Sequence, residues 1–178
     1  ASRVETVPTV VDIEHYRPRK EMANDIPIVG WIGTPKTSHY LHSLIPVFEA
    51  LQSVMHVQFV AVGARKEDFI DTIIEVWPWS EDTEVASIKE FDIGIMPLDD
   101  SPWERGKCGY KLIQYMACGL PVVASPVGVN GTIVAPEENG LLANTLDEWQ
   151  EALKYLLQSD MSYRVSIGRA GRNYVKNW

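Results

Sequence analysis

The chain has 178 residues, of which 46% are hydrophobic and 22% charged, and 16 Lys plus Arg against 24 Asp plus Glu leave a formal net charge of −8. That length supports one substantial core and excludes a small stapled scaffold, while the composition excludes wholesale disorder and a fibrous chain. The acidic balance, unbroken by any basic run, excludes the phosphate-neutralising patch of a duplex binder, so no nucleic-acid partner is expected.

The first ten residues, ASRVETVPTV, lack the basic region and apolar core of a secretion signal, and no apolar stretch approaches the ~20 residues of a membrane span. No transmembrane segment is therefore expected. Arg3 to Pro18 reads as a linker, and the abrupt ends of the chain predict an excised domain. The first strand is predicted at Ile28–Ile32 (IVGWI). A helical stripe follows at Leu41, Leu44, Ile45, Phe48 and Leu51, with Thr37 or Ser38 as its N-cap and Pro46 marking a kink or a late start.

Further apolar runs predict strands at Val57–Val62, Ile73–Val76, Ile93–Met96 and Pro121–Ala124. They are continuous rather than alternating, as strands covered by helices on both faces must be. Val85, Ile88 and Phe91 form one helical stripe. Leu112, Ile113, Met116 and Ala117 form another, ended by Gly119. Thr145-Leu-Asp-Glu148 is a capping box opening a helix with Trp149, Leu153, Leu156 and Leu157 on one face. A last helix is predicted from Met161 to Val175, after Ser159-Asp160. Strands alternating with helices of this length predict an α/β, Rossmann-like, doubly wound parallel sheet with helices on both faces.

Cys108 and Cys118 lie ten positions apart with no C-x-x-C spacing and no His cluster, which argues against zinc and against a redox pair. On a single helix they would be about 15 Å apart, too far to bridge. Reduced thiols and a cytoplasmic location are expected.

In an open parallel sheet ligands bind beyond the carboxyl ends of the strands, which nominates the turns Gly33–Lys36, Gly63–Arg65, Trp77–Glu81, Pro97–Lys111 and Ser125–Gly131. The longest leads into a helix, with Gly106 and Gly109 flanking Lys107 and with Lys111 in the first turn. Glycines, free amides and the positive helix end make an anion site there. The plainer reading pairs Lys107 and Lys111 with Asp99, Asp100 or Glu104 as solvated charges. The dinucleotide fingerprint G-x-G-x-x-G, the P-loop and the G-x-S-x-G elbow are all missing, as is a receiver's acidic cluster.

Gly106-Lys-Cys-Gly-Tyr-Lys-Leu-Ile-Gln-Tyr-Met-Ala-Cys-Gly-Leu-Pro-Val-Val-Ala-Ser-Pro-Val-Gly128 resembles the donor-binding segment of GT-B glycosyltransferases of the retaining family 4. Val7–Pro18, Ile28–Gly33, Asp92–Leu98 and Asn139–Leu142 follow the same family's style and order. The resemblance implies an interdomain linker over residues 1–20 and, over 21–178, a C-terminal domain that binds a nucleotide-diphosphate sugar. It also implies an N-terminal acceptor domain that this sequence lacks, so that the chain alone completes no transfer.

Carried over by position, the family's ribose-binding Glu falls on Gln114 and its sugar-binding Glu on Gly106, with Glu104 as a stand-in. Its diphosphate-gripping Arg and Lys fall on Thr34 and His39, leaving Lys36, Lys107 and Lys111 as cations. Lys111 is expected to matter most, being nearest the helix end. The donor-binding set is thus Gly33, Thr34, Lys36, His39, Trp79, Gly106, Lys107, Gly109, Tyr110, Lys111 and Gln114, with no catalytic carboxylate assigned. Trp77 and Trp79 are candidates to stack on the base or the sugar, with core packing as the plainer reading; Ser125, Val127 and Gly128 line the neighbouring turn, and Asn130 either reaches a hydroxyl or caps that turn. No metal or other cofactor is expected, because the sequence offers no carboxylate cluster suited to Mg²⁺ and the family is metal-independent. Two other classes remain open: a nucleotide-sugar epimerase and a non-catalytic binding module.

Overall fold

The computed structural model describes residues 7–18 and 24–177; residues 1–6 and 19–20 of the predicted linker, and 21–23 and Trp178 of the predicted domain, lie outside them. Six parallel strands form one sheet in the order β3-β2-β1-β4-β5-β6. They are β1 (Ile28–Ile32), β2 (Gln58–Val62), β3 (Ile74–Trp77), β4 (Ile93–Met96), β5 (Val122–Ala124) and β6 (Leu141–Leu142). The helices are α1 (Ile45–Gln52), α2 (Glu84–Lys89), α3 (Pro102–Arg105), α4 (Tyr110–Ala117), α5 (Asn130–Ile133), α6 (Leu146–Gln158) and α7 (Met161–Lys176).

Every residue of β1 and β4 is buried, which is why these strands read as unbroken apolar runs. The strand period of two divides them between two cores. Ile28 and Ile32 face a cluster with Ile88 of α2, Leu112 and Met116 of α4 and Val175 of α7. Val29 and Trp31 face another with Phe48 of α1 and Trp149, Leu153 and Leu156 of α6. Gly30 and Gly94 pair across β1 and β4. Cβ atoms there would fall 2.2 Å from the Phe91 ring and 2.5 Å from the Tyr115 ring, so the two glycines let these aromatics lie directly on the sheet.

Two local expectations are corrected. The helix after β1 is not capped by Thr37 or Ser38. Its first ten residues, Pro35–Leu44, form a 3₁₀ helix with Thr34 as N-cap, and α1 starts at Ile45, with Pro46 in its first turn where a missing N–H costs nothing. Cys108 and Cys118 do not share a helix: Cys108 is exposed ahead of α4 and Cys118 is its buried C-cap, both as free thiols. Strand β6, two residues long, was not among the predicted strands. The Thr145–Glu148 capping box is present, with the Glu148 amide donating to Thr145 Oγ1 at 3.2 Å. Gly119 adopts φ 76° just past α4, in the left-handed region favoured by glycine.

Residues 7–18 lie against the Ile28–Ile32 core through Val11, Ile13 and the buried Tyr16. Arg172 of α7 clasps this segment, donating to the carbonyls of Tyr16 at 2.6 Å and Ile13 at 3.0 Å, and also to that of Ala117 at the end of α4.

Candidate functional site

At their carboxyl ends β1 and β4 part: β1 leads towards β2, and β4 towards β5. Their pairing reaches Gly30 and Gly94 and goes no further. Beyond it the Tyr115 hydroxyl bridges the gap, accepting from the Ile32 amide at 2.9 Å and donating to the Ile95 carbonyl at 3.4 Å. Burial pushes the Tyr115 pKa up, so the phenol stays protonated and can donate. The split is the switch point at which doubly wound sheets bind ligands.

The N-terminus of α4 opens at this split. Gly109, its N-cap, adopts φ 70°, and a Cβ there would fall 2.4 Å from Ile133 Cδ1. Leu112 and Ile113 donate back to the Gly109 carbonyl, whereas the amides of Gly109, Tyr110 and Lys111 donate to no acceptor among the described residues. Three unengaged donors at the positive end of a helix make a mouth for an anion.

Lys111 lines that mouth. Its Nζ sits 5.5 Å from the centroid of the Trp31 ring, and its stem lies against Gly33, where a Cβ would be 3.0 Å from Cε. Burial pushes its pKa down to about 8, and the nearby Lys107 charge pushes in the same direction. Lys107 Nζ lies 5.0 Å over the Tyr40 ring. Neither lysine forms an ion pair with a described carboxylate; Asp100 is instead engaged by Arg105 at 2.6 and 3.0 Å. The pairing of Lys107 and Lys111 with Asp99, Asp100 or Glu104 is therefore not the arrangement adopted.

Glu104 is buried, and its two oxygens accept from the hydroxyls of Tyr40 and Ser101. Those bonds hold its carboxyl below the usual range, and they fasten the loop after β4 to the 3₁₀ helix. Gly106 ends α3, its amide donating to Trp103 O at 3.2 Å. Thr34, Lys36 and His39 are exposed on the 3₁₀ segment after β1 and bond within it. The Thr34 amide donates to Thr37 Oγ1 at 3.3 Å, and His39 Nδ1 lies 3.0 Å from the Lys36 carbonyl.

Across the rim, the Gly33 carbonyl lies against Gly63, and Gly63 lies against Trp79. Trp79 is half exposed, and its Nε1 donates to Glu84 Oε2 at 2.8 Å. Trp77 packs against the core. Gln114, almost wholly buried, donates from Nε2 to the Tyr16 hydroxyl at 2.8 Å and to Glu84 Oε1 at 2.7 Å. The geometry thus gathers Gly33, Lys107, Gly109, Tyr110 and Lys111 at the mouth, with Trp79 to one side. Gln114 sits one helical turn deeper.

Tyr16, Glu84 and Tyr115 belong to this neighbourhood and were not singled out from sequence. No spacing links Tyr16 to a partner 98 positions away. Asn130 caps its turn, donating from Nδ2 to the Ser125 carbonyl at 3.1 Å. Its buried Oδ1 has no hydrogen-bond partner among the described residues. A cavity of about 310 Å³ opens on the same rim between Tyr40, Asp99, Ser125 and Thr145. Among the described residues no group of three His, Cys, Asp or Glu side chains is arranged to hold a metal ion, and no helix is long and apolar enough to cross a membrane.

Sheet order, switch point and helix layers define a Rossmann-like α/β domain of the GT-B kind. The chain belongs to the family Glycosyl transferases group 1, whose model matches residues 26–159. It is 26% identical to the D-inositol 3-phosphate glycosyltransferase of Segniliparus rotundus, over 95% of this chain and 42% of that protein. Sucrose-phosphate synthase of Thermosynechococcus elongatus superimposes with a TM-score of 0.80 at 21% identity, over 99% of this chain and 49% of the other. The C-terminal domain of LpcC, a group 1 glycosyl transferase of Francisella tularensis, gives 0.71 at 17% identity, over 94% and 97%. Alr3699/HepE of Anabaena, solved with UDP and glucose, gives 0.74 at 17% identity, over 94% and 50%. The chain spans less than half the length of the Segniliparus and Thermosynechococcus proteins.

Proposed function

We propose that this chain is the donor-binding half of a retaining, family 4 glycosyltransferase, and that it holds a nucleotide-diphosphate sugar for transfer to an acceptor carried by an N-terminal domain. The observation that carries the reading is the mouth of α4, with three amides unengaged among the described residues beside the half-buried Lys111. As the glycosidic bond breaks, charge gathers on the departing diphosphate. Amides and an ammonium already in place stabilise that charge without reorganising, and they are worth most where water is excluded. Lys111 and Lys107 then do the work a metal ion would do elsewhere, and no cofactor is assigned. Family membership supports the reaction class, and the Anabaena neighbour solved with UDP and glucose supports the ligand class. The free thiols of Cys108 and Cys118 favour a reducing, cytoplasmic setting. On this reading the isolated chain binds donor and transfers nothing.

Titration calorimetry with UDP, GDP, ADP and their sugars is the test. One base is expected to bind with one site per chain, in competition with inorganic pyrophosphate. Absence of heat with every ligand overturns the assignment and favours a non-catalytic module.

A further inference from the structure

The most completely built polar cluster next to the mouth centres on Glu84, the first residue of α2. Three donors from three parts of the chain converge on its carboxylate. Tyr16, from the N-terminal segment, and Gln114, from α4 at 2.7 Å, donate to Oε1, and Trp79, from the loop after β3, donates to Oε2 at 2.8 Å. An ionised carboxylate offers about four acceptor positions, so among the described residues one is left, on the oxygen shared with the half-exposed Trp79.

The identity of residue 114 follows from the same geometry. A Glu there would set two carboxylates against each other at hydrogen-bond distance, whereas the amide of Gln114 donates and holds Glu84 in place. Gln114 lies four residues beyond Tyr110, so the amide that holds Glu84 comes from about one helical turn along α4 from the mouth, and Trp79 bonds the other oxygen of the same carboxylate. A nucleotide whose phosphates occupy the mouth carries its ribose directly beside them, next to this turn of α4. A carboxylate accepts well from ribose hydroxyls, as in dinucleotide-binding sheets, where an Asp or Glu bonds the ribose 2′-OH.

We propose that Glu84 accepts the hydroxyls of the nucleotide's ribose, and that Tyr16 and Gln114 are positioning residues for its carboxylate. This rests on the donor-binding reading above. It makes residues before β1 part of the nucleoside subsite: the chain segment clasped by Arg172 delivers the Tyr16 hydroxyl to a carboxylate 68 positions away.

The test uses calorimetry on the full chain with three probes: the tightest-binding of UDP, GDP and ADP, its 2′,3′-dideoxy counterpart, and inorganic pyrophosphate. Wild type is expected to prefer the ribonucleotide at least tenfold over the dideoxy form. Glu84→Gln is expected to bind both alike, with pyrophosphate affinity unchanged within twofold. Glu84→Asp, which keeps the charge but shortens its reach, should lose most of the same preference. Tyr16→Phe should lose about threefold of it, again sparing pyrophosphate. A ribonucleotide preference that survives in both Glu84 variants overturns the proposal, as does an equal loss of nucleotide and pyrophosphate binding, which marks Glu84 as a brace for the fold alone. Failure of wild type to bind any of the three probes overturns the donor-site reading itself, a distinct result.

Discussion

Lys111 is where fold and ligand make opposite demands. Buried against Trp31 and Gly33 and repelled by Lys107, it holds its proton only up to a pKa of about 8 in the folded chain, against 10.5 ordinarily. Between those two values the unfolded chain binds more protons than the folded one. The contribution of this group to stability therefore rises with pH across that window, and below about pH 8 its charge opposes folding. A bound diphosphate reverses the balance by favouring the charged form, so affinity should fall as pH climbs through 8. Lys111→Met keeps the stem and deletes the charge. It should raise unfolding stability at pH 7 by about 1 kcal/mol, measured by denaturant titration, and weaken pyrophosphate binding about tenfold or more, measured by calorimetry. The cation at the helix entrance was legible from its place in the Gly-rich turn. Its burial was not, because Trp31 lies eighty positions earlier and no local pattern joins the two.

Elements held by their neighbours in sequence were read well, and those held by distant parts of the chain were read poorly. The Thr145 capping box, the Pro46 start and the Gly119 stop are local chemistry, and each is present. The 3₁₀ character of Pro35–Leu44 and the two-residue strand β6 are imposed by packing, and neither leaves a periodicity to read. The clasp between α7 and the N-terminal segment is of the same kind. The planar fork of Arg172 reaches three carbonyls, one of them at the negative end of α4, and an ammonium cannot match that geometry. Arg172→Lys should therefore cost about 1–2 kcal/mol. It should speed amide exchange at His15 and Tyr16, whose amides close a turn on Asp12, while leaving the β1 and β4 ladder as slow as in wild type.

For the molecule as a whole, the fold class was legible because a sheet covered on both faces turns its strands into apolar runs and its crossovers into helices. The carboxyl-end rule nominates the rim at which the amides of Gly109, Tyr110 and Lys111 open. The polar wiring behind that rim, Tyr16 to Glu84 to Gln114, needed the three-dimensional structure. A second cavity, of about 400 Å³, lies at the opposite rim between Asp92, Pro121, Arg169 and Lys176. Ligand effects should distinguish the two ends. A donor nucleotide at a hundred times its dissociation constant adds about 2.7 kcal/mol of stability, which for a domain of this size raises the unfolding temperature by roughly 5–10 °C. Hydrogen exchange under those conditions should show direct protection at Gly109–Lys111 and, at Arg169–Lys176, no more than the increase that global stabilisation gives every slow amide. Cys108 adds a practical consequence: it is exposed one position ahead of Gly109, whereas Cys118 is sealed inside. The native chain thus offers a single alkylatable handle at the lip of its mouth, and a fluorophore fixed there would report occupancy optically without changing one residue of the protein.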